Sequence, residues 1–216
     1  MGYPNYKTYE KLYARFLNKD NFNKLLDLVD DYNGKIVLDL CAGTCRAIEE
    51  ALNRGAKCGL AVEQESKMVP DKIRSKCNID LMEYSLEEFF QSLNFERVFN
   101  VVICQQAINY WLCKSSALTL STIMAKDGVF IFNTFNTKPK AKPHINEYEF
   151  EGKNFVETTW AKGNKIHHVQ IREGLDLHHT IFEWMSDKYI KSCLNEFFKV
   201  ELIKDNKTSY YRCIKK

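Results

Sequence analysis

From residue 35 to residue 133 the chain alternates between short apolar runs and amphipathic stretches, and that rhythm limits the fold more than any other feature. The apolar runs fall at 35–40 (KIVLDL), 57–62 (KCGLAV), 79–82 (IDLM), 98–104 (VFNVVIC) and 129–133 (VFIFN). Each has the length and continuity of a strand buried on both faces. Helical signals separate them. Ala47, Ile48, Ala51 and Leu52 share one face, and Gly55 ends that helix. Ser85-Leu86-Glu87-Glu88 reads as a capping box that opens a second helix. Residues 118–124 supply a third. Alternation of this kind predicts an α/β fold: a mostly parallel sheet, right-handed crossovers and helices on both faces.

The flanks read differently. Tyr9, Leu12, Tyr13, Phe16 and Leu17 form a helical stripe that Thr8 can cap, and Phe22, Leu25, Leu26 and Val29 form another. After Pro143 the glycines 152, 163 and 174 recur at a fixed interval, with β-type runs at 155–161, 166–171 and 177–184. Regular turn signals between such runs predict a small antiparallel sheet inserted after the fifth strand. Ser186 caps a helix with Ile190, Cys193, Leu194 and Phe197 on one face, and 200–203 with 209–213 form a closing hairpin of the main sheet. The expected division of one domain is a helical cover at 1–33, a core at 34–136, a β insertion at 137–184 and returning core elements at 185–216.

Composition narrows the partners. The net charge of +3 gives no electrostatic case for nucleic acid. The one basic stretch is the linker carrying Lys138, Lys140 and Lys142 between prolines, a mild tilt toward anions. No apolar run approaches the roughly 18 residues that a membrane span needs. The first residues lack a basic-then-apolar leader, so the expected location is the cytoplasm. Eight cysteines contain no C-x-x-C pair and are expected to be reduced thiols. Cys41 and Cys45 lack a second pair at ligand spacing, so no metal is expected.

The segment with chemical content is Asp39-Leu40-Cys41-Ala42-Gly43-Thr44-Cys45-Arg46, at the first strand-to-helix turn. Ligands of open α/β sheets bind outside the carboxyl ends of strands. Ala42 and Gly43 let a ligand approach the backbone closely. Glu63, at the end of the second apolar run, is an acid at the spacing that suits a grip on ribose hydroxyls. A dinucleotide fingerprint would need glycines where Cys41 and Arg46 stand, and a phosphate-binding GxxxxGK[ST] loop is absent.

The run from Val37 to Cys45, with Glu63, Ser66 and Met68, resembles the Rossmann-like methyltransferases that use S-adenosyl-L-methionine (SAM), of the small-molecule type. The resemblance covers residues 35–136 and, more loosely, the order of the final elements. It implies a Rossmann-like seven-stranded sheet with an antiparallel final strand, and a cofactor site to which Tyr13, Gln64 and Met68 also belong. Asp39 would anchor the methionine end, with Cys41, Ala42 and Gly43 packing on the cofactor and Glu63 holding the ribose diol. Glu83, Tyr84, Ser85 and Leu86 would border the adenine. Cys104, Gln105 and Gln106 would lie beside the transferring methyl. The G-x-G-x-G turn of such proteins reads Cys41, Gly43 and Cys45 here. If the third position requires positive φ, cysteine costs on the order of 1 kcal/mol or more.

By the same resemblance the inserted sheet and the N-terminal helices would cover an acceptor pocket. Tyr9, Tyr110, Trp111, Asn133, Phe135 and Trp160 would wall it. All five histidines fall in the second half, at 144, 167, 168, 178 and 179. Neighbours on a strand face opposite sides, so at most one of His167 and His168 can enter the pocket. These two are the expected candidates for a general base, because their strand should be central in the insertion. The implied activity is methylation of N or O on a small molecule, by a monomer or homodimer. An RNA or protein methyltransferase, or a SAM-binding protein without catalysis, remain the alternatives.

Overall fold

The computed structural model describes residues 5–13, 19–92, 98–150, 152–175, 177–206 and 208–216. Helices α1 (Tyr6–Tyr13) and α2 (Lys19–Leu26) open the chain. The alternating core follows: β1 (Ile36–Leu40), α3 (Arg46–Asn53), β2 (Cys58–Val62), α4 (Asp71–Arg74), β3 (Ile79–Met82), α5 (Leu86–Gln91), β4 (Phe99–Gln105), α6 (Lys114–Ile123) and β5 (Met124–Phe135). The insertion comprises β6 (His144–Phe150), β7 (Lys153–Lys162), β8 (Lys165–Arg172) and β9 (His178–Glu183). Helix α7 (Asp187–Leu194) and strands β10 (Phe198–Asp205) and β11 (Thr208–Lys215) finish the chain.

Seven strands form one sheet in the order β10-β11-β5-β4-β1-β2-β3. Strands β1 to β5 pair in parallel, and β11 runs antiparallel to both β5 and β10. The last strand therefore sits inside the sheet, and β10 takes the edge. Alternate residues of each strand point to opposite faces, and both faces are buried. Leu38, Leu60, Val102, Phe130 and Tyr211 pack with Phe89 of α5, Leu120 of α6 and Ile190 of α7. Val37, Ala61, Val101, Ile131 and Tyr210 pack with Leu25 of α2 and Ile48 of α3. This two-sided burial explains why the strands read as unbroken apolar runs. Two of the three predicted N-caps form: Ser85 and Glu88 complete a capping box, and the Ser186 hydroxyl accepts the Tyr189 N–H, whereas Thr8 lies inside α1 and its own N–H donates to the Asn5 side-chain oxygen at 3.0 Å.

Gly59 of β2 has a packing reason. A Cβ there would lie 2.7 Å from Ile48 Cγ1 and 3.2 Å from the Val37 carbonyl. Helix α3 can thus press directly on the sheet.

The insertion is a separate antiparallel sheet in the order β6-β7-β8-β9. The sequence showed three of its strands and hid the fourth. His144–Phe150 mixes polar side chains on both faces and follows Pro143, so it resembles linker. The stretch before it is fixed as well, since the Ala161 N–H donates to the Lys140 carbonyl at 2.9 Å. Among the described residues no helix is long and apolar enough to cross a membrane.

Candidate active site

The turn after β1 carries three left-handed residues in alternation: Cys41 at φ 55°, Gly43 at φ 53° and Cys45 at φ 59°. The sequence question about the third position is therefore answered. Cysteine occupies a conformation that costs L-residues roughly 1–2 kcal/mol, at both outer positions. The Cys45 side chain is turned into the core beneath α3 rather than into the open space above the turn. Gln106, just past β4, is also left-handed, at φ 54°. Backbone strain of this kind gathers at functional sites, and here it marks the carboxyl edge of the sheet.

Glu63 fastens this turn. One carboxylate oxygen accepts the Gly43 N–H at 2.8 Å and the other accepts the Glu65 N–H at 2.9 Å. Burial raises its pKa, and the two N–H donors oppose the rise. Asp39 is 1% exposed and accepts the Ile48 N–H at 3.3 Å. Burial pushes its pKa up to about 7, with the Glu63 charge adding to the rise. Two acids thus meet at the mouth of β1 and β2, one on the backbone turn and one beneath it.

A cavity of about 1970 Å³ lies over this edge. It exceeds the roughly 300–1,000 Å³ typical of a pocket for one small ligand. Asp39, Cys41, Ala42, Gly43, Glu63, Gln64 and Met68 line one corner of it. Tyr84, Ser85, Leu86, Gln105 and Gln106 continue the wall. Tyr9, Tyr110, Trp111 and Phe135 line it too, and Phe135 stacks on Phe182 of β9 with centroids 5.6 Å apart.

Several expected residues stand elsewhere. Glu83 turns outward and pairs with Arg74 at 2.5 Å. Cys104 is buried in the core, where its sulfur accepts the Trp111 indole N–H at 3.4 Å. Burial pushes its pKa up to about 12, so it is an inert thiol. Asn133 is buried, and its side-chain oxygen accepts the Gln106 N–H at 2.9 Å, so it braces the strained residue instead of facing the cavity. The side chain of Tyr13 lies outside the described residues.

The inserted sheet turns one face to the cavity, and strand register decides which. His144, Thr159, His168 and Thr180 form one row across β6, β7, β8 and β9, and all four line the cavity. Asn146, Glu157, Gln170 and His178 form the adjacent row on the same face. His167 and Trp160 are on the opposite face. They stack on each other at 4.9 Å, and His167 Nδ1 lies 3.3 Å from His179 Nε2. The expectation for His167 as base and Trp160 as pocket wall is therefore corrected by the pleat, while His168 faces the cavity.

Sequence reasoning missed Glu157, Thr159 and Thr180, which meet His168 only through cross-strand pairing. Their separations along the chain carry no motif. Lys140 and Lys142 of the basic stretch also line the cavity, on the side of His144. Cys113 lines it as well, and hydrogen bonds with Ser115 and Ser116 lower its pKa to about 7.

No family model matches the sequence, and no curated protein matches it either. The solved structures do. SAM-bound CalS10, an amino pentose methyltransferase from Micromonospora echinaspora involved in calicheamicin biosynthesis, superposes with a TM-score of 0.74 at 12% identity over 100% of both chains. This is a methyltransferase fold. A SAM-dependent methyltransferase from Clostridium acetobutylicum gives a TM-score of 0.68 at 16% identity, covering 96% of each chain. The sugar N-methyltransferase KedS8 from Streptoalloteichus gives 0.68 at 13% identity over 100% of this chain and 96% of its own. The likeness spans the inserted sheet and the methyltransferase core together, so the whole architecture is shared.

Proposed function

We propose that this chain is a SAM-dependent methyltransferase acting on N or O of a small-molecule acceptor. The observation that carries the proposal is the continuity of one cavity. It joins the Glu63–Gly43 corner to the polar rows of the inserted sheet, with room for a nucleoside and a second molecule.

The corner suits SAM chemically. The Glu63 carboxylate retains lone pairs for ribose hydroxyls beyond its two backbone bonds. The methionine end would lie by Asp39, where a carboxylate faces an ammonium and a sulfonium. Aromatic rings of Tyr9, Tyr110 and Trp111 suit a cation by electrostatic attraction to their faces. When bound, SAM supplies a methyl carbon that an acceptor lone pair attacks as the bond to sulfur breaks. The protein aligns the partners and excludes water. His168 takes the proton that the acceptor nitrogen or oxygen releases.

The acceptor side is polar, with hydroxyl, imidazole and carboxylate groups in ordered rows. Lys140 and Lys142 add positive charge, which favours an acceptor bearing an anionic group. The near-neutral chain as a whole offers nothing comparable to RNA. Cys45 points into the core and leaves the cavity clear, which weakens the reading of a SAM-binding protein without catalysis.

His168→Ala is expected to lower turnover by roughly 10²-fold or more with SAM affinity unchanged. The measurement is tritiated-methyl transfer to a panel of small amines, alcohols and sugar phosphates, beside calorimetric titration with SAM. Undiminished turnover in the variant removes His168 from the chemistry. SAM binding without product on any acceptor favours the non-catalytic reading.

Asp39 gives the binding step a pH dependence. Its carboxyl is raised to about 7 by burial, so near neutrality the free protein holds it partly protonated. The cationic methionine end favours the carboxylate, so binding lowers the pKa and releases a proton. Affinity then rises with pH, by up to about tenfold between pH 6 and pH 8. Calorimetry in two buffers of different ionisation enthalpy reads the released proton directly. Proton uptake, or affinity that falls over this interval, contradicts the placement of Asp39.

A further inference from the structure

The inner face of the inserted sheet holds an acid that the reaction above does not use. Glu157 and His168 are diagonal neighbours on β7 and β8: Glu157 pairs with Gln170, and His168 pairs with Thr159. Diagonal neighbours on one face of a sheet are within reach of long side chains. His168 Nε2 lies 3.4 Å from Glu157 Oε1, and both side chains are nearly covered, at 13% and 12% exposure. Nε2 itself is buried, and its 3.4 Å contact with Glu157 is an ion-pair approach rather than a formed hydrogen bond. Burial, with the charges of His178 and His179, lowers the His168 pKa to about 4. The ring is therefore neutral at pH 7, with one N–H and one lone pair.

We propose that Glu157 is the positioning residue for His168, holding the imidazole as the Nε2–H tautomer and leaving the Nδ1 lone pair to accept the acceptor's proton. This rests on the methyltransferase reading. The N···O separation is long for a charge-assisted bond, as such contacts often are before a site is filled. In the proton transfer the acceptor's N–H or O–H bond breaks and an Nδ1–H bond forms. The resulting imidazolium carries two N–H groups, and the Glu157 carboxylate offsets its charge. A carboxylate behind an imidazole fixes tautomer and ring orientation in the same way in unrelated enzymes. Glu157 does not touch the acceptor in this arrangement. It acts through His168.

The tautomer can be read without knowing the acceptor. Long-range proton–nitrogen NMR spectra of protein labelled with ¹⁵N-histidine, at pH 7 with and without saturating SAM, report which ring nitrogen carries hydrogen. His168→Gln assigns the resonance. The wild type is expected to show a single Nε2–H form. Glu157→Gln, whose amide oxygen still accepts, should keep it. Glu157→Leu, of similar bulk and without an acceptor, should give a tautomer mixture. An Nδ1–H form in the wild type, or an unchanged spectrum in a folded Glu157→Leu variant, overturns the proposal. If Glu157→Leu fails to fold, the wild-type spectrum and Glu157→Gln decide. Loss of the Nε2–H form in folded Glu157→Gln also counts against it. SAM titration of the same samples separates the two ideas: absent binding by the wild type defeats the methyltransferase reading, whatever the tautomer.

Discussion

Replacing Glu63 by alanine is expected to weaken SAM binding between tenfold and a hundredfold, or about 1.4–2.8 kcal/mol. Two losses combine. The ribose hydroxyls lose an ionised acceptor, and hydrogen bonds to charged groups contribute roughly 1.5–3 kcal/mol each. The turn loses the carboxylate that accepts the Gly43 N–H at 2.8 Å, which frees a strained segment to move. Glu63→Gln separates them, because its amide oxygen can still accept from one N–H while the charge is gone. An intermediate affinity for Glu63→Gln fits both losses. Calorimetric titration with SAM checks each variant, and wild-type affinity in Glu63→Ala would displace the cofactor from this corner.

Gly59→Val is expected to destabilise the protein by about 3 kcal/mol, at the upper end of the usual cost of overpacking. A Cβ at this position would lie 2.7 Å from Ile48 Cγ1 and 3.2 Å from the backbone oxygen of Val37. Ile48 is fully buried, so it cannot swing away, and α3 itself must lift. At roughly 2–4 °C per kcal/mol for a chain of this size, the melting temperature should fall by about 6–12 °C. The same lift shifts the Ile48 N–H that Asp39 accepts, so SAM affinity should fall with stability. A thermal melt followed by titration well below the midpoint tests both effects. A variant as stable as the wild type would mean that the helix and strand are less tightly apposed than the structure shows.

The sequence made the sheet legible wherever both faces are buried. The strand holding Leu38 and Leu40 on one side and Val37 on the other cannot be read as anything but interior. The convergence of Asp39, Gly43 and Glu63 on one corner of the cavity was legible too, because they lie at intervals set by a strand, a turn and a second strand. What lay hidden depends on pairing between distant segments. The register that sets His168 beside Thr159 and two positions from Glu157 is written in no local pattern. Alternation alone said that His167 and His168 diverge, and only the docked sheet says which one turns inward. Cys104 and Asn133 failed for a related reason: position at a strand's end was read as exposure to the ligand, whereas both side chains face the packed interior and brace their neighbours.

The doubled histidines at 167–168 and 178–179 give the hairpin tips an arithmetic rule. The Gly163 turn joins Lys162 to Lys165 with two residues between them. Slippage of β8 by a single position would turn its imidazoles over, presenting the Trp160-side face to the chamber and sending His168 outside. Insertions and deletions in this region can therefore be absorbed only in ways that conserve parity, or at loops where a bulge takes up the odd residue. A chain that drifts by one residue here would retain two histidines in the strand and still lose the one that lines the cavity.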